Sequence, residues 1–226
     1  MKVLALETSG SACSVALRCG DEVFERHQVA PRRHGELILP MAEALLAEAG
    51  LTPQQLDLIA FGRGPGSFTG LRIACGVAQG IAFAAELPVA PVSTLAAVAQ
   101  GCWRETAESR IAVANDARMG EVYLGGYQIE DGVAVALFDE AVVAPAAVCL
   151  PACHWYPSGS GWAEYGDELA LATGLRAAPS ECERLPRAVD LLPLAEALCR
   201  SGGCVSAEAA APLYLRDNVA VKSALR

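Results

Sequence analysis

The sequence contains few of the residues on which most catalytic and nucleic-acid-binding sites depend. It has three histidines, His27, His34 and His154, and no two of them are four residues apart, so the HxxxH pair of many metal sites is missing. Its 17 Lys and Arg are outnumbered by 26 Asp and Glu, which leaves a net charge of −9. Affinity for nucleic acid comes largely from Lys and Arg that neutralise phosphates. We therefore expect the isolated chain to bind nucleic acid weakly, and any role in RNA chemistry to depend on a partner.

Signatures of several cofactor and membrane classes are missing as well. No CxxC pair occurs among the nine cysteines, and the nearest two, Cys149 and Cys153, have no matching second pair, which argues against structural zinc. No GxSxG segment marks a nucleophilic serine. The apolar run Met1–Leu6 is too short for a signal peptide, and the apolar stretch 73–85 is shorter than the roughly 20 residues of a membrane span. We expect a cytoplasmic protein without a metal.

What the sequence does contain is a pattern of strands followed by helices that occurs twice. The segments KVLALE, ACSVAL and VFERHQ are typical of three consecutive strands, and residues 37–49 have helical spacing. A second run of strands begins at RIAVAND and is followed by a helix within residues 181–203. The repeat predicts a duplicated α/β unit, with one lobe over 1–100 and a related lobe over 101–206.

The glycine-rich segment GRGPGSFTG, residues 62–70, precedes a helical segment in the way that phosphate-binding loops do. It is not a P-loop, because no Lys follows at the required place. It is not a dinucleotide fingerprint either, because Ser67 stands where the third glycine is needed. Backbone N–H groups at the helix start could still meet a phosphate, with Ser67 or Thr69 as the N-cap. A phosphate contact and a structural role are both open.

The helix after this segment has two rows of very small residues. Ala74, Ala78 and Ala82 are four apart, and so are Gly76 and Gly80. Small residues at this spacing let another helix approach closely, and each glycine inside a helix costs about 1 kcal/mol relative to alanine. Packing within one domain and contact with another subunit explain the pattern equally well.

Two places in the sequence, a single acidic residue and a short charged segment, are candidates for a ligand site. Glu7 ends the first strand, where it could bind a metal or phosphate in a nucleotide cleft, or simply be an exposed acid in a turn. Asp116, Arg118 and Glu121 form a compact charged group between two strands. For this second group a salt-bridged turn is favoured over a catalytic role. No catalytic set emerges from these residues.

Six segments, in this order along the chain, resemble those of one bacterial family. They are LALETSGSACSVAL, HGELILPMAEALLAEAGL, GRGPGSFTGLRIACGVAQGIA, PVSTLAAVA, NDARMGEVY and PLYLRDNVA. Over nearly its whole length the chain is similar to the TsaB (YeaZ) family of tRNA threonylcarbamoyladenosine (t6A) biosynthesis, which belongs with the glycoprotease-like TsaD proteins. The resemblance implies an α/β fold of the actin-like (ASKHA, ribonuclease H-like) type with two related lobes.

The resemblance also implies a function exerted through partners. Members of the family associate with the paralogue TsaD and the ATPase TsaE, which together place a threonylcarbamoyl group on the adenosine beside the tRNA anticodon, and they form homodimers when alone. TsaD binds its metal through an HxxxH motif, and the matching positions here are Thr94 and Val98, neither of which ligates as imidazole does. The resemblance therefore implies a catalytically silent subunit that meets tRNA only indirectly and contacts no membrane. It implies no cofactor, except for a nucleotide at the interface of the complex. Glu7 is the candidate residue for contact with that nucleotide.

For the partner contact, the resemblance implies one face of each of two helices. The predicted interface residues are Leu37, Met41, Leu45, Gly70, Ala74, Gly76, Ala78 and Gly80. We expect Leu in place of Ala78 or Gly76 to block association with TsaD and to leave the fold intact. The C-terminal tail, residues 207–226, is expected to pack back on the first lobe.

Two other functions compete with this interpretation. One is a peptidase of the glycoprotease type, against which the missing HxxxH pair and the missing nucleophile motif argue. The other is an independent actin-like ATPase or small-molecule kinase, for which Glu7 and the two lobes would be suited.

Overall fold

The computed structural model of the protein describes residues 1–216. Its strands are β1 (Lys2–Glu7), β2 (Ala12–Cys19), β3 (Glu22–Val29), β4 (Leu58–Gly64), β5 (Val89–Ser93), β6 (Arg110–Arg118), β7 (Glu121–Glu130), β8 (Val133–Ala136), β9 (Ala141–Val143) and β10 (Tyr156–Ser158). Its helices are α1 (His34–Glu48), α2 (Phe68–Ala85), α3 (Thr94–Thr106), α4 (Gly161–Glu164), α5 (Gly166–Thr173), α6 (Pro179–Cys182) and α7 (Ala188–Arg200), with short 3₁₀ turns at Pro53–Gln55 and Pro145–Ala147.

The first sheet has the strand order β3-β2-β1-β4-β5. β1, β2 and β3 form the predicted antiparallel meander, and β4 and β5 run parallel to β1. Both faces of the sheet are covered, so its central strands are apolar at nearly every position. Leu4 and Leu6 pack with α1 and α2 on one face, and Val3 and Ala5 pack with α3 and α7 on the other.

The second sheet also has five strands, and four of them repeat the order of the first sheet. Its path is β10-β6-β7-β8, in which β10 is parallel to β6 and the other pairs are antiparallel, and β9 pairs with β7 beside β8. β6, β7, β8 and β10 thus correspond to β1, β2, β3 and β4. The predicted α/β fold with two related lobes is confirmed.

The boundary between the lobes differs from the prediction. Helix α3 begins at Thr94 and continues through Gly101 to Thr106, so a boundary between residues 100 and 101 falls inside a helix. The helix is unbroken there because α3 packs between the two sheets. Gly101 lets α3 approach α7 closely, since a Cβ at this position would lie 2.7 Å from a carboxylate oxygen of Asp190. Helix α7, assigned to the second lobe by sequence, packs on β1, β2, β4 and β5 of the first sheet.

The chain returns to the first lobe after α7. Ala207 and Ala210 are buried against α2, and the Gln79 side-chain amide donates to the Ala210 carbonyl at 2.8 Å. The Leu213 N–H donates to the Arg63 carbonyl at 2.7 Å. The rest of the predicted tail, 217–226, lies outside the described residues.

Helix α2 is the apolar helix of the sequence analysis, and it is longer than the stretch predicted there. It has 18 residues, and by length and composition alone it is apolar enough to cross a membrane, although 33% of it is buried inside the chain. Among residues 1–216 no second helix meets the same criteria. Helices that pack on another protein are also long, apolar and largely uncovered by their own chain, so α2 fits that role as well.

Candidate functional site

Helix α2 packs on the first sheet through its alanine row. Ser67 is the N-cap, and its hydroxyl accepts from the Gly70 N–H at 3.4 Å. Ala74, Ala78 and Ala82 are completely buried in the core beneath the helix. For these three residues, packing within the domain is the correct explanation of their small size.

The glycine row lies on the opposite, uncovered side of α2. Gly76 and Gly80 are exposed, and a Cβ built on either would meet no atom within 4 Å. Ile73, Val77 and Ile81 lie beside them and are only partly buried. Nothing within residues 1–216 requires glycine at these two positions, although glycine weakens a helix. The result is an apolar strip of low relief, which we call the glycine strip (Ile73, Gly76, Val77, Gly80 and Ile81).

Helix α1 lies alongside this strip. A Cβ on Gly35 of α1 would lie 4.0 Å from Cδ1 of Ile73, and Leu39 exposes 45% of its surface. Leu37 and Met41 are partly buried against the core. The two helices together therefore present one continuous apolar surface.

The structure separates the predicted interface residues into two groups. Gly76 and Gly80 are exposed, and Leu37 and Met41 are partly exposed. Four residues are buried inside the chain and are not accessible to a partner; they are Leu45, Gly70, Ala74 and Ala78. Leucine at Ala78 is therefore expected to destabilise the fold, because overpacking a full core typically costs about 1–3 kcal/mol.

Three glycines of the 62–70 segment, Gly62, Gly66 and Gly70, make room for the end of β1 and the two residues after it. A Cβ on Gly62 would overlap the Glu7 carboxylate, one on Gly66 would lie 2.7 Å from the Ser9 carbonyl oxygen, and one on Gly70 would overlap the Thr8 carbonyl oxygen. The segment resembles a phosphate loop because both need close approach to the backbone. Here the group that approaches is the chain's own β1–β2 connection.

Glu7 is buried completely, so the interpretation as an exposed turn acid is wrong. Its Oε1 accepts from the Ser9 N–H at 2.5 Å, and no hydrogen-bond donor from residues 1–216 pairs with its Oε2. Burial raises the pKa of this carboxyl, while the hydrogen-bonding groups of Ser9 lower it by less. Glu7 does not line the cleft described below. Its role as a nucleotide ligand stays a prediction.

A cleft of about 790 Å³ separates the two lobes. On one side it is lined by the β1–β2 connection, the N-terminal turn of α2 and the segment before α1; on the other it is lined by the end of β6, α4 and the segment before α7. Its volume is within the range of small-molecule sites. Sequence reasoning missed this cleft, since its walls come from segments that are far apart along the chain, among them Thr94 of α3 and Tyr123 of β7.

The β6–β7 hairpin at the cleft is the salt-bridged turn that the sequence favoured. Arg118 Nη1 lies 2.9 Å from Asp116 Oδ2, and the Arg118 N–H donates to Asp116 Oδ1 at 2.7 Å. Glu121 pairs with Arg216 of the returning chain. Asp116, Arg118 and Glu121 therefore each have a charged partner.

Metal-ligating side chains do not gather in the described part of the chain. Within residues 1–216 no three His, Cys, Asp or Glu lie close enough together to hold a metal ion. Of the two positions that match the HxxxH motif of TsaD, Thr94 lines the cleft at the start of α3 and Val98 is buried in the core. An apolar side chain in the core cannot ligate a metal.

Comparison with known proteins places this geometry in a family. The family described as TsaD, tRNA N6-adenosine threonylcarbamoyltransferase, matches residues 26–223. The tRNA threonylcarbamoyladenosine biosynthesis protein TsaB of Escherichia coli is 43% identical over 227 residues, covering 98% of this chain and 97% of that protein. The chain belongs to the TsaB (YeaZ) family. The Haemophilus influenzae TsaB protein is 38% identical over 98% of this chain and 96% of its own length.

Solved structures agree with the TsaB (YeaZ) assignment. YeaZ from Pseudomonas aeruginosa matches with a TM-score of 0.87 and 45% identity, covering 95% of this chain and 99% of that one. The similarity therefore extends over both lobes. The two-lobed fold expected from the family resemblance is the fold of this chain.

Proposed function

We propose that this chain is a non-catalytic partner subunit required for the transfer of a threonylcarbamoyl group to tRNA, the t6A modification. Its relatives in Escherichia coli and Haemophilus influenzae are named tRNA threonylcarbamoyladenosine biosynthesis proteins. The partners that we propose are a TsaD-like catalytic subunit and a TsaE-like ATPase, in the cytoplasm. The net charge of −9 fits a subunit that reaches tRNA within a complex and not alone.

The absence of catalysis in this chain is supported by the composition of the cleft. The positions that correspond to the metal-binding histidines of TsaD hold Thr94 and Val98, and the largely buried Asp116 carboxylate of the hairpin is paired with Arg118. The peptidase alternative is disfavoured by the same observations. We expect the purified chain to cleave no protein substrate.

The observation that carries the partner role is the glycine strip. Two glycines in the interior of a helix reduce its stability, and at Gly76 and Gly80 no neighbour within residues 1–216 compensates for that cost. A helix or sheet edge from another chain would be able to reach the backbone of α2 at these two positions. A homodimer of the isolated chain would use the same surface, and the TsaD-like partner would replace the second copy.

The decisive test measures association and activity with the same set of variants. Gly76→Leu and Gly80→Leu should abolish co-purification with the TsaD-like subunit and t6A formation in a reconstituted reaction. Gly166→Leu is the matched control, because Gly166 begins helix α5 and its Cβ would also meet no atom within 4 Å. A complex that forms equally well with all three variants, or t6A formation without this chain, would refute the proposal.

An independent actin-like ATPase is the second candidate, because the cleft has the volume of a nucleotide site. Isothermal titration of the isolated chain with ATP and magnesium separates the two functions. We expect no binding, since Glu7 does not line the cleft and Asp116, which does, is paired with Arg118. Tight binding with ATP hydrolysis would favour the ATPase.

A further inference from the structure

A stacked group of side chains lies at the rim of the cleft, next to the N-terminus of α2. Phe68 lines the cleft, and Arg72 places its guanidinium 3.8 Å from the centre of the Phe68 ring. The Tyr214 ring centre is 5.5 Å from that of Phe68, and Arg72 Nε donates to the Tyr214 hydroxyl at 3.1 Å. These three side chains, which we call the aromatic platform, hold one another in a fixed arrangement.

The aromatic platform remains accessible although its members are in contact. Phe68 exposes 52% of its surface and Tyr214 exposes 41%. Aromatic rings fixed in place by neighbours lose little conformational freedom when another flat group stacks on them. Accessible rings beside a guanidinium are the arrangement by which proteins bind unpaired bases, since every base has a π-face.

Several arginines lie at the platform and in the cleft wall of a chain that is acidic as a whole, although Asp116 and Glu164 also line the cleft. Arg72 of the platform and Arg32 of the cleft wall form no ion pair with a carboxylate within residues 1–216. Arg118, also in the cleft wall, pairs with Asp116 but exposes 84% of its side chain. Arg32 adopts a left-handed backbone conformation with φ of 69°, unusual for a residue other than glycine. The N-terminal end of α2 adds partial positive charge.

We infer that the aromatic platform binds an unpaired nucleobase of an RNA strand, and that Arg32 and Arg118 contact the neighbouring phosphates. The inference rests on the proposed function, and it adds a direct RNA contact to a subunit otherwise expected to meet tRNA through its partner. Because the chain carries a net charge of −9, this contact contributes within the assembled complex, where other subunits supply most of the phosphate contacts.

The test compares tRNA binding by complexes assembled from unsubstituted and variant chains. The double variant Phe68→Leu with Tyr214→Leu keeps apolar side chains but removes both rings. We expect its complex to bind an unmodified tRNA transcript about tenfold more weakly, the loss typical of one stacked base. Phe83→Leu is the control, because Phe83 lies on the same helix, exposes 68% of its surface and is distant from the cleft lining. It should leave tRNA affinity unchanged.

Two further measurements identify the source of any effect. Arg32→Gln should reduce the slope of log affinity against log salt by about 1, as expected for one lost phosphate contact. A fully paired RNA hairpin should bind equally to unsubstituted and double-variant complexes. Unchanged tRNA affinity in the double variant, or an equal loss for the paired hairpin, would overturn the inference.

Association measured by gel filtration separates this inference from the proposed function. If the double variant no longer joins the TsaD-like subunit, the platform is a protein contact, and the inference fails while the proposed function stands. If the unsubstituted chain forms no complex, the proposed function fails. The platform is then tested on the isolated chain with a single-stranded RNA oligonucleotide at low salt, and binding insensitive to the double variant would refute it.

Discussion

Replacing the two glycines of the glycine strip by alanine should stabilise the isolated chain and weaken its association with a partner. Gly76 and Gly80 lie in the interior of the 18-residue helix α2, and a Cβ at either position meets no atom within 4 Å. Alanine is preferred over glycine in a helix by about 0.8–1 kcal/mol per position, so the double variant should gain about 2 kcal/mol. For a chain of this size that corresponds to a rise in Tm of about 4–8 °C.

The assay is thermal unfolding of the double alanine variant by circular dichroism at several protein concentrations. The concentration series matters, because association of the folded chain raises the apparent Tm of the unsubstituted protein and not that of a variant that fails to associate. The expected gain should therefore be largest in the most dilute samples. Affinity for the TsaD-like subunit, measured by titration, should fall in the same variant and fall further with leucine.

Two results would refute this reasoning. A dilute double variant that melts at or below the Tm of the unsubstituted chain would mean that the glycines have a role within the chain. A more stable variant with full affinity for the partner would mean that the glycine strip is not the docking surface.

Three further predictions concern the interior. Gly62→Ala should destabilise the fold by about 1–3 kcal/mol because its Cβ overlaps the Glu7 carboxylate, and shortening that side chain with Glu7→Ala should recover part of the loss in urea unfolding. Burial raises the pKa of Glu7 above its ordinary 4.5, so the folded chain retains this proton more readily than the unfolded chain and loses stability as pH rises through the folded pKa. The stability gained by Glu7→Gln should therefore be larger at pH 8 than at pH 5, and an equal gain at both would contradict a raised pKa. Arg184→Ala should cost about 3–5 kcal/mol, because it leaves the nearly inaccessible Glu181 carboxylate, 2.6 Å from Arg184 Nη2, without its partner; a loss below 1 kcal/mol in denaturant titration would contradict this.

The fold was predictable to the extent that it depends on local patterns. The meander of β1, β2 and β3 follows from alternating segments joined by short turns, and its second occurrence in β6, β7 and β8 revealed the repeat. The lobe boundary was not predictable, because α3 lies in one core that both sheets contribute to and its sequence has no break at Gly101. The strand β10, with three residues, is too short to have a period of its own.

The sequence predicted which small residues of α2 matter for packing, but it did not predict which side of the helix faces the core. The spacing of Ala74, Ala78, Gly76 and Gly80 showed that α2 has two bare sides, but only the position of the sheet decides which side is buried. The burial of Glu7 was missed for a related reason. Glu7 packs against Gly62, which is far away in the sequence. Because glycine has no side chain, Gly62 adds nothing to the hydrophobic pattern that would indicate this contact.

The tight packing of the 62–70 segment against the end of β1 has a mechanical consequence. The Thr8 hydroxyl donates to the Gly70 carbonyl at 2.7 Å, and the Ser67 N–H donates to the Ser9 carbonyl at 2.8 Å. With no side-chain layer between them, the first turn of α2 and the floor of the cleft move together. A displacement of the first turn of α2 would therefore also displace Ser9 and its neighbours in the β1–β2 connection, which line the same wall of the cleft.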